Sequence, residues 1–487
     1  MPLLLLYRLK PGPSPVRYPC TLNMPPANEF RLPRRWWVVL LALAAGAALR
    51  LWFIHAYPEI QGDPLVYGSI AKNWMLHGVY GTTLSGTLHP TLIRLPGYPL
   101  FLMLCFKLFG MEHYHAVMYA QTGIDLGTCL LVAAFTRRIW NAKAGWWALW
   151  LAALCPFTAN YAAVPLTETL ELFSIAVALY ALVRFLENPR WTWAVVEAAA
   201  WSYAALLRPD GALIAVALCP AMVWYGRKSW DAARMMKYAV AAGVLSVLPF
   251  VPWTIRNSRT FGVFQPLAPR TATDPGEPTN PGFERWTKTV CADFTCTWEV
   301  YWNLNSDQIE LSSLPARAFD SPAQYRQTQA LLDDYNRTTT LTPAEDARFA
   351  ALAAARIHDH PIRYYVGLPA LRLADMWLRP RTALVWIELR WWQFQAHEGE
   401  TVFAWSYAGL NLLYLIFAAW GLKKWPPLSA AMLAFVLMRC ALLLSIAAPE
   451  PRYTLECFPM IFVLAAIALS GQRSAIKRPA VSVPAAS

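Results

Sequence analysis

Long apolar blocks separated by short polar joints dominate the chain. The blocks fall at about 36–57, 114–136, 144–163, 166–186, 192–207, 210–226 and 237–255, and again at 402–421, 427–448 and 453–470. Each approaches the roughly 20 helical residues that cross a hydrocarbon core. The pattern therefore predicts an all-α polytopic membrane protein, a transmembrane helical bundle of about ten spans. One further apolar run, LPGYPLFLMLCFKLF at 95–109, opens with two prolines and a glycine. These break a first helical turn, and backbone of that kind is tolerated at membrane depth only under cover of protein or a wet cavity. It is placed as a re-entrant or membrane-surface segment within a loop spanning 58–113.

Polar character takes over from 257 to 401, beginning with a stretch rich in Pro, Thr, Asp and Gly. Such composition marks irregular loop rather than buried core. Inside it, Thr342, Pro343 and Glu345 have the form of a capping box with proline at the first helical position, opening a helix to about His358. The following IRYYVGLPALRLADMWLRPR mixes Arg363, Arg372, Arg379 and Arg381 with apolar residues, the pattern of an interfacial helix.

Basic residues assign the sides. Arg34 and Arg35, Arg137, Arg138 and Lys143, Arg184 and Arg190, and Arg227, Lys228, Arg234 and Lys237 all fall at alternate joints. Lys423 and Lys424, then Arg473, Lys477 and Arg478, continue the same parity. By the positive-inside rule both termini are cytoplasmic, and the 58–113 loop and the 257–401 domain are external. The resulting division is a disordered cytoplasmic tail at 1–33, a transmembrane module at 34–256, the external domain at 257–401, C-terminal helices at 402–472 and a tail at 473–487. MPLLLLYRLKPGPSPVR has no basic region before its leucines and no small-residue cleavage site after them, so it makes a poor signal peptide.

Composition agrees: of 487 residues, 57% are hydrophobic and 15% charged, with a mean hydropathy of +0.31. A soluble multidomain enzyme is excluded on those grounds. The net charge of +12 sits largely in short joints, so it encodes topology and not nucleic-acid binding.

Against this topology, Asp63, Arg94, Glu168, Arg208, Asp210, Arg256 and Arg452 all fall at external ends of spans. Ionisable groups at membrane level are costly and face protein or water, so a shared cluster is a site. Arginine's planar fork suits a phosphate, and a carboxylate beside it suggests group transfer. Asp63 also has a purely structural reading, as the N-cap of a helix with Pro64 in its first turn and Gly78 at its end. Arg50, Asp125, Glu171, Glu197 and Arg439 lie within spans and are expected to pair inside the bundle.

The ordered residues Gly62-Asp63, Tyr67, Ala71, Gly78, Tyr80-Gly81, Arg94 and Pro96-Gly97-Tyr98-Pro99 resemble the opening of bacterial GT-C membrane glycosyltransferases. The likeness is to the branch of the dolichyl-phosphate-mannose protein mannosyltransferases and the lipid A aminoarabinose transferases. Pro165-Leu166-Thr167-Glu168, Arg208-Pro209-Asp210-Gly211, Pro252-Trp253-Thr254-Ile255-Arg256-Asn257 with Phe261-Gly262, and Arg452-Tyr453 extend it. The match covers 36–262 well and the C-terminal part loosely. The resemblance implies an inverting transferase in the bacterial inner membrane that moves a hexosyl or pentosyl group from a polyprenyl-phosphate carrier to an external lipid, protein or polysaccharide. Asp63 matches the family's catalytic base. Glu168 is expected to orient the acceptor or hold a metal. Arg256, first, then Arg94, Arg208 and Arg452, with Tyr67 and Tyr98, are expected at the donor phosphate.

No cofactor is assigned. His89, His113 and His115 have no Asp or Glu at a convincing ligand spacing, so a divalent metal is left open. Cys291 and Cys296 stand either as a disulfide in an oxidising space or as two thiols. The rival from another class is a secondary transporter binding a solute with the same charges. Transporters place such charges near the midplane between repeated halves, whereas here they lie at one edge and no internal repeat is found.

Overall fold

The computed structural model describes residues 36–471. Both expected tails, and the basic residues within them, lie outside that range. The first half runs α1 (Trp36–Ala56), α2 (Asp63–His77), a two-stranded antiparallel hairpin of β1 (Gly81–Leu84) and β2 (Thr87–Pro90), α3 (Gly97–Phe109), α4 (Tyr114–Ile139), α5 (Ala142–Ala153) and α6 (Pro156–Tyr161). It continues with α7 (Glu168–Glu187), α8 (Trp191–Leu207), α9 (Leu213–Gly226), α10 (Ala232–Val247) and α11 (Phe250–Phe261). Helices α12 (Pro281–Val290), α13 (Pro322–Tyr335), α14 (Pro343–Asp359) and α15 (Leu368–Leu378) belong to the polar stretch. The chain closes with α16 (Glu398–Lys423), α17 (Ser429–Leu443) and α18 (Phe458–Leu469).

Seven helical stretches among the described residues are long and apolar enough to span a bilayer: α1, α4, α7, Pro209–Gly226, Ala232–Phe261, α16 and Pro451–Leu469. The other three apolar blocks, 144–163, 192–207 and 427–448, fold as the shorter α5 with α6, α8 and α17. Pro156 explains the first of these, since it stops the block from continuing as one helix. The run at 95–109 forms the 13-residue α3, too short to span.

Helices α4, α5, α7, α8 and α18 meet in one apolar core, with Phe135, Leu179, Trp201 and Phe462 all nearly sealed from solvent. Nearly all of α18 is buried, so it is a central strut and not a lipid-facing span. A second core forms within the polar stretch around Phe283, Trp286, Tyr335 and Phe349. The Thr342–Glu345 capping box is present in full, opening α14, and Cys291 and Cys296 form a disulfide.

The arginines after Pro361 behave differently from a set reaching for headgroups. Arg372 donates to the carbonyls of Lys288 and Cys291 at 3.1 and 3.0 Å. Arg381 donates to Asn411, the Pro451 carbonyl and Thr454 at 3.1, 2.6 and 2.6 Å. Arg372 thus ties α15 to the end of α12 within the polar stretch, and Arg381 clamps that stretch to α16 and to the start of the last helical run. Ile362, Val366 and Leu371 remain exposed.

Candidate functional site

Two glycines decide how the site closes around the end of α8. A Cβ at Gly97 would lie 2.6 Å from the Leu206 carbonyl oxygen, and one at Gly211 would lie 2.2 Å from that of Ala204. The start of α3 and the turn Pro209–Ala212 therefore press directly on the last turn of α8. Arg208, extended at its C-cap, is held between them.

Asp63 opens α2, but no cap hydrogen bond forms there and the N-cap position is Gly62 at φ +61°. That is a correction to the structural reading, in which the Asp63 side chain capped the helix. The carboxylate turns away from the helix and accepts from Arg94 Nη2 at 2.6 Å. Arg452 Nη2 lies 3.6 Å from its other oxygen. Burial alone pushes the Asp63 carboxyl up, but Arg94 and Arg452 together outweigh it and hold the group below the usual carboxylate range. Arg94 also faces the Tyr67 ring at 5.6 Å. Burial pushes the Tyr67 hydroxyl up to about 12, so it stays a neutral donor.

From Asp63 the charges continue inward. Arg452 reaches Glu450 at 2.7 Å and Glu168 at 3.7 Å. Arg208 lies 3.6 Å from Glu168, 3.9 Å from Glu171, 3.4 Å from Asp210 and 3.6 Å from Glu456. Arg439, fully buried, pairs with Asp210 and, at 2.8 Å, with Glu456. Four arginines and six carboxylates thus form one network.

This network borders a cavity of about 1550 Å3, larger than the 300–1,000 Å3 of most small-molecule sites. Asp63, Tyr67, Arg94, Glu168, Arg208, Asp210 and Arg452 all line it. The polar stretch supplies the remaining wall through 268–272, 294–302 and 379–389.

Two expected residues stand elsewhere. Arg256 donates to the carbonyls of Thr91 and Tyr80 at 2.7 and 2.6 Å and lies 5.2 to 5.4 Å from the rings of Tyr80, Trp253 and Phe261. It fixes the β1–β2 hairpin to α11 and does not border the cavity. Tyr98 is buried, with its hydroxyl donating to Gln121 Oε1 at 2.7 Å. Conversely, Glu450 and Glu456 escaped sequence reasoning although they flank Arg452-Tyr453. The repeated acid at 450 and 456, around an arginine at a span end, was the available signal. Glu197, expected to pair, has no cation within ion-pair reach among the described residues. Its polar neighbour is Trp201, one turn along α8. Nor do the described residues bring three His, Cys, Asp or Glu side chains together for a metal.

Residues 89–253 match the family model described as dolichyl-phosphate-mannose-protein mannosyltransferase. Among solved structures, the oligosaccharyltransferase of Archaeoglobus fulgidus tethered with an acceptor peptide containing the NVT sequon superposes with a TM-score of 0.51 at 14% identity, covering 90% of this chain and 50% of that one. The same organism's AglB in complex with an inhibitory peptide and a dolichol-phosphate gives 0.49 at 13% identity, with 90% and 50% covered. ArnT from Cupriavidus metallidurans bound to undecaprenyl phosphate gives 0.40 at 14% identity, with 89% and 77% covered. The chain spans about half the length of the oligosaccharyltransferases it resembles. No curated protein sequence matches it.

Proposed function

We propose that this chain is a GT-C superfamily membrane protein of the protein-mannosyltransferase and aminoarabinose-transferase branch, an inverting glycosyltransferase that moves a sugar from a polyprenyl-phosphate carrier to an acceptor outside the membrane. The observation that carries this reading is the convergence of Asp63, Glu168 and three cavity arginines, Arg94, Arg208 and Arg452, on one large cavity at the ends of the helices. The family matched over 89–253 takes its name from a lipid-phosphate-linked sugar, which supports the donor class.

The chemistry follows from the charges. The acceptor hydroxyl or amine attacks the anomeric carbon from the face opposite the phosphate. The bond from that carbon to the phosphate oxygen breaks, and polyprenyl phosphate departs. With its second pKa near 6, a phosphate monoester needs charge stabilisation rather than a proton. Arg208, spread over four carboxylates at 3.4 to 3.9 Å, and Arg452, close to Glu450 but 3.6 to 3.7 Å from Asp63 and Glu168, supply it. The acceptor's proton passes to Asp63 as general base. While Arg94 and Arg452 both hold it, Asp63 is ionised but weakly basic. Phosphate arriving at Arg452 competes with Asp63 for that guanidinium, so donor binding makes the base stronger. Glu168, between Arg208 and Arg452, keeps both guanidinia directed at the cavity.

The test is sugar transfer by membranes carrying wild type or Asp63→Asn, with endogenous acceptors present. Loss of a general base predicts a fall of roughly 10²- to 10⁴-fold in an Asp63→Asn protein that inserts at the wild-type level. Equal activity in the two would remove Asp63 from the mechanism. A transporter reading has less support, because the charges gather at helix ends rather than midway along them.

A further inference from the structure

Phe294, Trp298 and Trp302 stand four residues apart along a continuous helical run, Phe294–Cys296 followed by the wider turn Thr297–Tyr301. That spacing puts them on one face, where the three rings pack on one another, with centroids 6.2 Å apart for Phe294 and Trp298, 5.2 Å for Trp298 and Trp302 and 5.7 Å for Phe294 and Trp302. All three border the cavity. Phe294 is buried, whereas Trp298 is 49% and Trp302 38% exposed, so part of each indole remains open beside the cavity.

The ladder is rigidly mounted. The Phe294 amide donates to Asp375 at 3.0 Å, and Thr297 Oγ1 donates to the Pro449 carbonyl at 3.2 Å. Arg390 pairs with Glu299 at 3.0 Å. The Thr297 bond attaches the rings to Pro449, the residue just before Glu450 and three before Arg452, which in turn reaches Asp63. Rings fixed in advance lose little freedom when a ligand arrives.

We infer that Trp298 and Trp302 are the platform for a saccharide acceptor, a pyranose ring stacked on the indoles with a hydroxyl presented to the Asp63 side of the cavity. This rests on the transferase reading above and names its acceptor class. A pyranose has an apolar face of C–H groups and a rim of hydroxyls. It therefore suits aromatic surface bordered by hydrogen-bonding charge, which Arg270 and Glu388 provide on the same cavity wall. An isoprenoid chain on these rings would desolvate those charges and gain no hydrogen bond in return. One common way to capture an extended peptide is to pair it with a sheet edge. Among the described residues the one sheet is the β1–β2 hairpin, and it does not border the cavity.

The experiment complements host cells deleted for the gene with wild type, Asp63→Asn, Trp298→Ala/Trp302→Ala or Trp298→Phe/Trp302→Phe. Glycan, glycolipid and protein fractions are then compared by mass spectrometry. The sugar present with wild type and lost with Asp63→Asn marks the product. It is expected in the glycan or glycolipid fraction, resistant to protease, reduced about tenfold or more by the double alanine variant, and largely kept by the double phenylalanine variant, which preserves the aromatic faces. Finding that sugar attached to protein, or at wild-type level in the double alanine variant, overturns the saccharide platform and leaves the transferase reading standing. Equal loss in the alanine and phenylalanine variants at wild-type protein amounts also overturns it. The absence of any sugar difference between wild type and Asp63→Asn sinks both.

Discussion

Two arginines in this bundle both face carboxylates yet are held in opposite ways. Arg50 is wholly buried and satisfied on every side. It donates to Asp125 at 2.7 Å, to the carbonyls of Gly46 and Ala153 at 2.8 and 2.7 Å, and more distantly to that of Ala152. Arg208, at the cavity, sees four carboxylates at 3.4 to 3.9 Å and keeps 20% of its side chain exposed. A charge held for architecture is closed off by short contacts, one to each donor. The Arg208 charge is instead shared among several longer contacts and left open on one side, while its cavity neighbours Arg94 and Arg452 each keep one short contact, 2.6 Å to Asp63 and 2.7 Å to Glu450, beside an open edge. The same residue type in the same bundle is therefore sorted by how completely its donors are taken, rather than by burial alone.

Breaking the closed pair gives the largest effect on stability. Arg50→Leu leaves Asp125 buried and uncompensated, at a cost of roughly 3–5 kcal/mol. Replacing both partners, Arg50→Leu with Asp125→Leu, recovers most of that loss, because neither charge then has to be desolvated. Thermal unfolding of the full chain in detergent measures both variants, and transfer per folded molecule should match wild type in each. Should the double variant fold normally yet lose transfer, Arg50 would belong with the cavity set and the distinction would fail.

Arg256 comes next. Its donors are taken by the Thr91 and Tyr80 carbonyls, so by the same criterion it is architectural. Arg256→Leu should cost on the order of 1–3 kcal/mol through two unpaired carbonyls. Hydrogen exchange should accelerate through residues 80–91, and transfer should fall far less than in Asp63→Asn. Exchange unchanged together with a loss as deep as that of Asp63→Asn would return Arg256 to the donor phosphate.

Much of this arrangement was readable along the chain, and the exceptions share a cause. Apolar block length located the helices, and the Thr342-Pro343-Glu345 pattern located a capped one, because both depend on local chemistry. Asp63, Arg94, Glu168, Arg208 and Arg452 were legible because each sits where an apolar block ends. Arg256 satisfies the same rule and yet faces a hairpin that is distant in sequence, which no local signal reveals. Tyr98 was drawn to the site by its motif, but its hydroxyl answers Gln121, on another helix. The aromatic ladder at 294, 298 and 302 lies in a stretch that reads as loop, since its helical turn is short and is held by Asp375 and Pro449 from afar. Partners separated by long stretches of chain decide side-chain roles, and composition does not report them.

The smallest effect is the most selective. Arg94, Arg452 and the Tyr67 hydroxyl are the groups that bear on Asp63, and the two cations keep its carboxyl below the ordinary value near 4. A depressed pKa in the folded state means that Asp63 stabilises the fold above its unfolded value. That contribution fades as pH falls through the folded one. As a base, Asp63 works only when ionised, so the acid limb of kcat/KM, which reports the free enzyme, should lie below about pH 4 and the profile should be flat through neutrality. Saturating donor puts a phosphate at Arg452, which removes part of one cation's hold and adds an anion nearby. Both changes raise the Asp63 pKa, so the acid limb of kcat should sit higher, by on the order of one pH unit. A shift in that direction marks Arg452 as open and exchangeable in the sense that separates the cavity from the Arg50 pair. Coincident limbs would show that the donor leaves the Asp63–Arg452 contact intact, and the cavity arginines would then be as closed as Arg50.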